Sequence, residues 1–148
     1  MITVFERFYK SNTPIVYSSI VLDSYSKYLL LSKFIYNNSD YSDWIKICDH
    51  MTICLGELPE HIKRYWLDEE ITLITTELGI SEKAIAVKVK GFFNIEKPDI
   101  VDGPKFPHIT LAINPLNGKP VDSNYIENWQ IIEPIKVKGI VSEIKANL

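Results

Sequence analysis

Two short segments of the sequence share one pattern: a histidine, an apolar residue, a threonine and a second apolar residue. They are His50–Ile53 and His108–Leu111. Imidazole titrates near neutral pH, so one histidine can act as a general base while the other acts as a general acid. A threonine hydroxyl can donate a hydrogen bond to a phosphoryl oxygen and stabilise the charge of the transition state without a metal. The duplicated pattern therefore predicts hydrolysis of a phosphodiester by four residues: His50, Thr52, His108 and Thr110.

The duplication is what favours a functional interpretation. The sequence has three histidines, and the third, His61, has no threonine two positions later. From composition alone, two copies of the pattern are expected with a frequency of roughly 0.03%. Strands favour threonine and aliphatic residues in any case, so two structural histidines satisfied by ordinary hydrogen bonds are the alternative interpretation.

Both motifs lie in segments that are typical of β-strands, 44–55 and 108–114. Because strand side chains alternate between two faces, the histidine and threonine of the first motif are predicted to share one face with Cys48 and Cys54. The aliphatic residues between them would then face the core, and the second motif would follow the same rule. We expect the two strands to face each other, so that the two histidines lie on opposite walls of a cleft.

The rest of the sequence predicts a mixture of strands and helices. A strand over 14–22 leads into a helix that begins near Asp23, a short helix follows Pro59, and a hairpin spans 69–90. We predict an α+β fold that is bilobal, with two small antiparallel sheets facing a central cleft and helices outside. The length of 148 residues fits a single domain over 1–148.

The composition argues against several classes of protein. The chain has 16 lysine and arginine residues against 19 acidic ones, a formal net charge of −3. This balance disfavours a protein that binds long duplex nucleic acid through its phosphates. No segment is long and apolar enough to cross a membrane, and the first residues are too charged for a signal peptide, so we expect a cytoplasmic protein. Without a CxxC or HExxH motif, no metal site is expected.

With its paired motifs, the sequence resembles the 2H phosphoesterase superfamily, which is defined by two His-x-Thr/Ser motifs on strands of a bilobal α+β fold. The resemblance implies action without a metal or other cofactor on 2′,3′-cyclic phosphates, 2′-5′ linkages or cyclic nucleotides. Residues 118–141 are most similar to the phage anti-CBASS nucleases, which degrade cyclic di- and trinucleotide messengers of bacterial immunity. That similarity implies cleavage of 3′-5′ linkages in such messengers, in the cytoplasm of the host.

Five further residues are candidates for binding the substrate. Trp129 and Tyr125 follow the second motif and could stack on a base, and Glu133 could read a base edge. Tyr17 lies on the opening strand, where it would contact the ligand if its face is turned to the cleft. Lys105 precedes the second motif and would attract a phosphate. Each has a structural alternative, which is core packing for the aromatic residues and ordinary solvation for the charged ones.

The expected partner is a small cyclic or short ribonucleotide. Two other functions stay open. One is an RNA-end repair phosphodiesterase of the same superfamily, which would use the same residues on a 2′,3′-cyclic phosphate. The other is a non-catalytic protein that sequesters a cyclic nucleotide and uses its histidines only as hydrogen-bond donors.

Overall fold

The computed structural model describes residues 13–91 and 104–146. Over these ranges the chain forms seven strands, which are β1 (Ile15–Leu22), β2 (Ile45–Lys46), β3 (His50–Leu55), β4 (Glu70–Ile80), β5 (Ala84–Lys90), β6 (His108–Ile113) and β7 (Trp129–Lys145). The helices are α1 (Ser24–Leu31), continued by the π-helical turn Ser32–Tyr36, then α2 (Glu60–Trp66) and the 3-10 helix Pro120–Tyr125.

Six of the strands form a closed antiparallel barrel. Their order around it is β6, β3, β1, β7, β4 and β5, and the pairing of β5 with β6 closes the ring. The short strand β2 pairs with β6 as an extra strand. The predicted α+β bilobal fold with two facing sheets is therefore wrong, because the described strands form one continuous sheet with few helices.

The long strand β7 joins into one sheet the strands that were predicted to form two separate sheets. It has 17 residues and pairs with both β1 and β4. Gly139 permits the close approach to β1, because a Cβ atom there would lie 2.6 Å from the carbonyl oxygen of Val21. The alternation of apolar and polar side chains predicts which face of a strand is buried, but it does not predict which strand becomes the neighbour.

Aliphatic side chains from all six barrel strands form the core. One fully buried example from each, in order around the barrel, is Ile109, Met51, Ile20, Val137, Leu73 and Val87. Burial of a side chain of this size contributes about 1.5–3 kcal/mol to stability. The helix α1 adds Leu30 and Leu31 to the same core. These contacts hold the two motif-bearing strands in one sheet.

The start of α1 confirms the sequence prediction. The side chain of Asp23 accepts a hydrogen bond of 2.7 Å from the backbone N–H of Ser26, which is the capping interaction expected of an aspartate at this position. Of the helices in the described ranges, none has the length and apolar character needed to cross a bilayer.

Candidate active site

The barrel places the two motifs on neighbouring strands. Met51 of β3 pairs with Ile109 of β6, and both side chains are buried in the core. The motif residues flank this pair on the opposite face of the sheet: His50, Thr52, His108 and Thr110. Across an antiparallel pair, opposed Cβ atoms lie about 4.5–5.5 Å apart and diagonal ones about 7–8 Å apart. This register puts each histidine beside the threonine of the other motif, with the two imidazoles on a diagonal.

This arrangement corrects the prediction that the two histidines lie on opposite walls. Because β3 and β6 are hydrogen-bonded neighbours, their motifs lie side by side on one face of one sheet. The predicted alternation within each motif is nevertheless observed, since the aliphatic residues are buried and the histidine and threonine face the cleft.

A kink at Cys48 precedes the first motif. Cys48 has a φ of 44°, in the left-handed region that residues with a side chain rarely adopt. Its N–H still donates to the carbonyl oxygen of Thr110 at 2.8 Å, so the chain follows β6 on both sides of the kink. The continuous strand predicted over 44–55 is therefore interrupted immediately before His50. Local irregularities of this kind change the direction of neighbouring side chains.

A second irregularity changes the face of the residues that follow the first motif. The register between β1 and β3 shifts at Ile53, so that Ile53 and Cys54 are both buried. Leu55 is instead 66% exposed and lines the cleft. The prediction that Cys48 and Cys54 share the face of the motif is therefore wrong, since both lie in the core.

The four motif side chains line a cleft of about 570 Å³. The 3-10 helix contributes Pro120, Val121 and Asn124 to its lining. The other lining residues are Ile47, Leu55 and Pro104. A mainly apolar cleft with a few convergent polar groups is typical of sites that bind small molecules.

His108 is held in one orientation by the backbone. It is 8% exposed, and its Nδ1 atom lies 2.9 Å from the carbonyl oxygen of Phe106. A carbonyl oxygen can only accept, so Nδ1 carries a hydrogen and Nε2 is the atom left to exchange a proton. Burial lowers the pKa of His108, the Phe106 carbonyl opposes this shift, and the charge of His50 lowers the pKa further.

His50 lies against Tyr17, one of the predicted ligand-contacting residues, with 5.3 Å between their ring centroids. Burial lowers the pKa of His50 as well, and the carboxylate of Asp49 opposes this shift. With both pKa values below 6.5, the usual value for histidine, both imidazoles are mainly neutral at pH 7 in the free protein.

Thr110 is hydrogen-bonded to the 3-10 helix. Its Oγ1 atom lies 2.8 Å from Oγ of Ser123 and 3.5 Å from the carbonyl oxygen of Pro120. Ser123 is fully buried. Neither Ser123 nor this helix was predicted from the sequence. Pro120 at the first helical position is the signal that could have indicated the helix.

Thr52 has a different environment from Thr110. It is half-buried, and no residue in the described ranges forms a hydrogen bond with its hydroxyl. Its partner on β1 is Ser19, whose buried hydroxyl also lacks a hydrogen-bond partner within those ranges. The Thr52 hydroxyl can therefore bind a ligand without first breaking a hydrogen bond to another described residue.

Lys105 and Tyr125 are two further predicted substrate-binding residues. Both lie next to Asn124, which lines the cleft. The backbone N–H of Lys105 donates to Oδ1 of Asn124 at 3.3 Å. The Nζ atom of Lys105 lies 4.2 Å from the ring centroid of Tyr125, which is exposed. The structure thus brings Lys105 and Tyr125 together next to a lining residue, and their roles in binding stay predictions.

Trp129 and Glu133 do not line the cleft. The Trp129 ring packs on Gly79, where a Cβ atom would lie 2.5 Å from it, and Nζ of Lys88 lies 4.5 Å from its centroid. The ring also packs edge-on against Phe106, with 5.3 Å between the ring centroids, and so supports the residue whose carbonyl orients His108. Glu133 is exposed on β7. Their roles in binding a base stay predictions, without support from this placement.

The other candidates for chemistry in the described ranges are the cysteines and metal-ligating side chains. Burial raises the pKa of Cys48 to about 12, so this thiol stays protonated near neutral pH and is a poor nucleophile. Among residues 13–91 and 104–146, no group of three or more histidine, cysteine or acidic side chains is arranged to hold a metal ion.

Comparisons with known proteins show a shared fold. A scan against models of protein families finds no match for this chain, and a search of curated protein sequences finds none either. A crystal structure of a fungal RNA kinase does match, with a TM-score of 0.50 and 13% sequence identity. The match covers 97% of this chain and 48% of that one, so the chain spans about half the length of that relative.

Proposed function

We propose that this protein is a phosphodiesterase that needs no metal and acts on small cyclic or short ribonucleotides. The observation that carries the proposal is the meeting of two His-x-Thr motifs on one face of β3 and β6, within a single cleft. Two imidazoles on a diagonal leave room for a phosphoryl group between them, and each has a threonine hydroxyl beside it.

The proposed reaction divides two proton transfers between the histidines. One imidazole, in its neutral form, takes the proton of an attacking ribose 2′-hydroxyl or water as a bond to phosphorus forms. The other, in its protonated form, gives its proton to the leaving 5′-oxygen as the old P–O bond breaks. The hydroxyls of Thr52 and Thr110 donate to the non-bridging oxygens, on which negative charge increases in the transition state.

The size of the cleft and the net charge of the chain support a small substrate. A volume of about 570 Å³ falls within the range of small-molecule sites. The formal net charge of −3 disfavours binding of a long nucleic acid through its phosphates. The first substrate class that we propose is the cyclic di- and trinucleotides, cleaved at 3′-5′ linkages as the similarity of residues 118–141 implies.

A second substrate class is the 2′,3′-cyclic phosphate at an RNA end. The observation that favours it is the fold shared with a protein described as an RNA kinase. Opening a preformed cyclic phosphate needs the same base and the same acid, with water as the attacking group. The two classes therefore differ in substrate and not in the catalytic residues.

One incubation tests the function and separates the substrates. The protein is mixed, in excess EDTA, with 3′,3′-cyclic GMP–AMP, a cyclic trinucleotide and 2′,3′-cyclic AMP, and the products are identified by mass spectrometry. We expect hydrolysis of at least one probe in EDTA. Turnover that appears only with added metal would contradict the proposed mechanism, and ligand that is bound but recovered intact after denaturation would indicate a non-catalytic binder.

The pH dependence of the reaction follows from the lowered pKa values of both histidines. Catalysis needs one protonated and one neutral imidazole, and this form becomes more abundant as the pH falls below 6.5. We expect a bell-shaped profile of kcat/KM with its maximum on the acid side of pH 6.5. Initial rates over about pH 4.5–8.5 measure it, with circular dichroism to verify folding at each pH. A maximum in the alkaline range would show that the two pKa values are not lowered.

A further inference from the structure

We propose that Ser123 is a positioning residue that donates its hydroxyl hydrogen to Thr110 and so directs the Thr110 hydrogen to the substrate. The inference rests on the proposed phosphodiesterase function and adds a residue outside the two motifs. Its basis is the contact of 2.8 Å between the two hydroxyl oxygens, one of which belongs to a fully buried residue.

The direction of this hydrogen bond follows from the other partners of each hydroxyl. Within the described ranges, Thr110 is the hydrogen-bond partner of the Ser123 side chain, whereas Thr110 also has the Pro120 carbonyl oxygen at 3.5 Å. If Thr110 donated to Ser123, the hydrogen of a fully buried hydroxyl would have no acceptor there. Leaving a buried donor unpaired costs about 1–3 kcal/mol. Donation from Ser123 to Thr110 avoids this cost, because Thr110 then has an acceptor of its own.

The Thr110 hydrogen is held only weakly in the resting state. The distance of 3.5 Å to the Pro120 oxygen is at the long limit for a hydrogen bond between oxygens. A phosphoryl oxygen that enters the cleft carries negative charge and is a stronger acceptor. The Thr110 hydroxyl can therefore rotate from Pro120 to the substrate while Ser123 keeps its oxygen in place. Accepting a hydrogen bond also polarises the Thr110 hydroxyl and makes it a better donor.

This role predicts a loss in kcat when Ser123 is replaced by alanine. We expect kcat to fall roughly 5- to 10-fold, the effect of one neutral hydrogen bond, because the charge that Thr110 stabilises develops mainly in the transition state. KM should change less than about twofold. Both constants are measured from initial rates on a probe that the wild-type protein hydrolyses, which is 3′,3′-cyclic GMP–AMP, the cyclic trinucleotide or 2′,3′-cyclic AMP.

A second variant distinguishes positioning from a general structural effect. In a Thr110→Val background, Ser123 has no hydroxyl to orient, so adding Ser123→Ala should lower kcat by less than about twofold. Ser26→Ala is the matched control, because Ser26 is a buried serine whose Oγ accepts from the backbone N–H of Lys138, on another part of the fold. We expect Ser26→Ala to retain the wild-type kcat.

The outcomes separate this inference from the function on which it rests. If the wild-type protein hydrolyses none of the three probes, the proposed function fails, and the role of Ser123 fails with it. If the wild-type protein is active and Ser123→Ala retains its kcat, only the role of Ser123 is overturned. An equal loss from Ser123→Ala with and without Thr110 would also overturn it, because the effect would not pass through that hydroxyl.

Discussion

Replacing either His50 or His108 with alanine should lower kcat by about 10²- to 10⁴-fold, the contribution that a general acid or base makes to catalysis. In the proposed mechanism, each replacement removes one of two proton transfers, which occur at the attacking and leaving oxygens of the same phosphorus. The double variant should therefore be little slower than the slower single variant, since residues that act as a unit are not additive. Initial rates in EDTA on the most reactive cyclic nucleotide give the three values.

His61 provides the matched control for these variants. It is the one histidine of the chain outside the two motifs. It lies exposed on α2 and does not line the cleft. We expect His61→Ala to keep wild-type activity. If His50→Ala or His108→Ala retained half of the wild-type kcat or more, the division of acid and base between these residues would be wrong.

Both histidine variants should remain folded, with His108→Ala the less stable of the two because its imidazole is buried. Both side chains lie on the cleft face of the sheet, opposite the core pair Met51 and Ile109. In His108→Ala the carbonyl oxygen of Phe106 loses its hydrogen-bond donor, a change of about 0.5–1.5 kcal/mol. Thermal denaturation followed by circular dichroism should therefore show folded proteins, which separates a loss of chemistry from a loss of fold.

The local structure of each motif could be predicted from the sequence because a strand has a period of two. Met51 and Ile109 are buried and the histidines and threonines share the opposite face, as alternation requires. The same rule failed after Ile53, where a register shift buries Cys54 and exposes Leu55. A shift of this kind arises from contacts with the neighbouring strand, which the sequence of one strand does not specify.

The arrangement of the strands could not be predicted, because pairing depends on contacts between distant segments. β3 and β6 lie more than 50 residues apart in the chain and are hydrogen-bonded neighbours in the barrel. The apolar pattern of either strand fits a sheet of the barrel and a sheet of a bilobal fold equally well. The position of the histidines relative to each other, side by side rather than on opposite walls, follows from this pairing.

The residues that support the motifs could not be predicted from the motifs alone. Phe106 acts through its backbone carbonyl, and the nature of a side chain does not reveal such a role. Ser123 becomes relevant only because the 3-10 helix brings its hydroxyl to Thr110. Trp129 was predicted from its residue type, and its ring lies instead on Gly79 and against Phe106. Residue type therefore indicated the residues that line the cleft in the two motifs better than the residues that hold them in place.

Replacing Thr52 or Thr110 with valine should lower kcat by about 10²- to 10³-fold, the usual effect of removing one donor from a site that stabilises an oxyanion. Valine keeps the branched shape of threonine and removes only the hydroxyl. Thr52→Ser and Thr110→Ser are the matched controls, because they keep a donor at the same position, and each should retain most of the activity. Wild-type kcat in either valine variant would show that its hydroxyl does not contact the phosphoryl group.

The two valine variants should differ in stability even though they resemble each other in activity. Thr110→Val leaves the buried hydroxyl of Ser123 without its partner, which costs about 1–3 kcal/mol. Thr52→Val breaks no hydrogen bond with a described residue, so its free energy of unfolding should stay near that of the wild type. Urea denaturation measures both.

Adding Ser123→Ala to Thr110→Val should regain the lost stability without restoring kcat, since it removes the unpaired hydroxyl and returns no donor to the cleft. If the double variant is instead less stable than Thr110→Val, the Ser123 hydroxyl has another partner and does not act through Thr110.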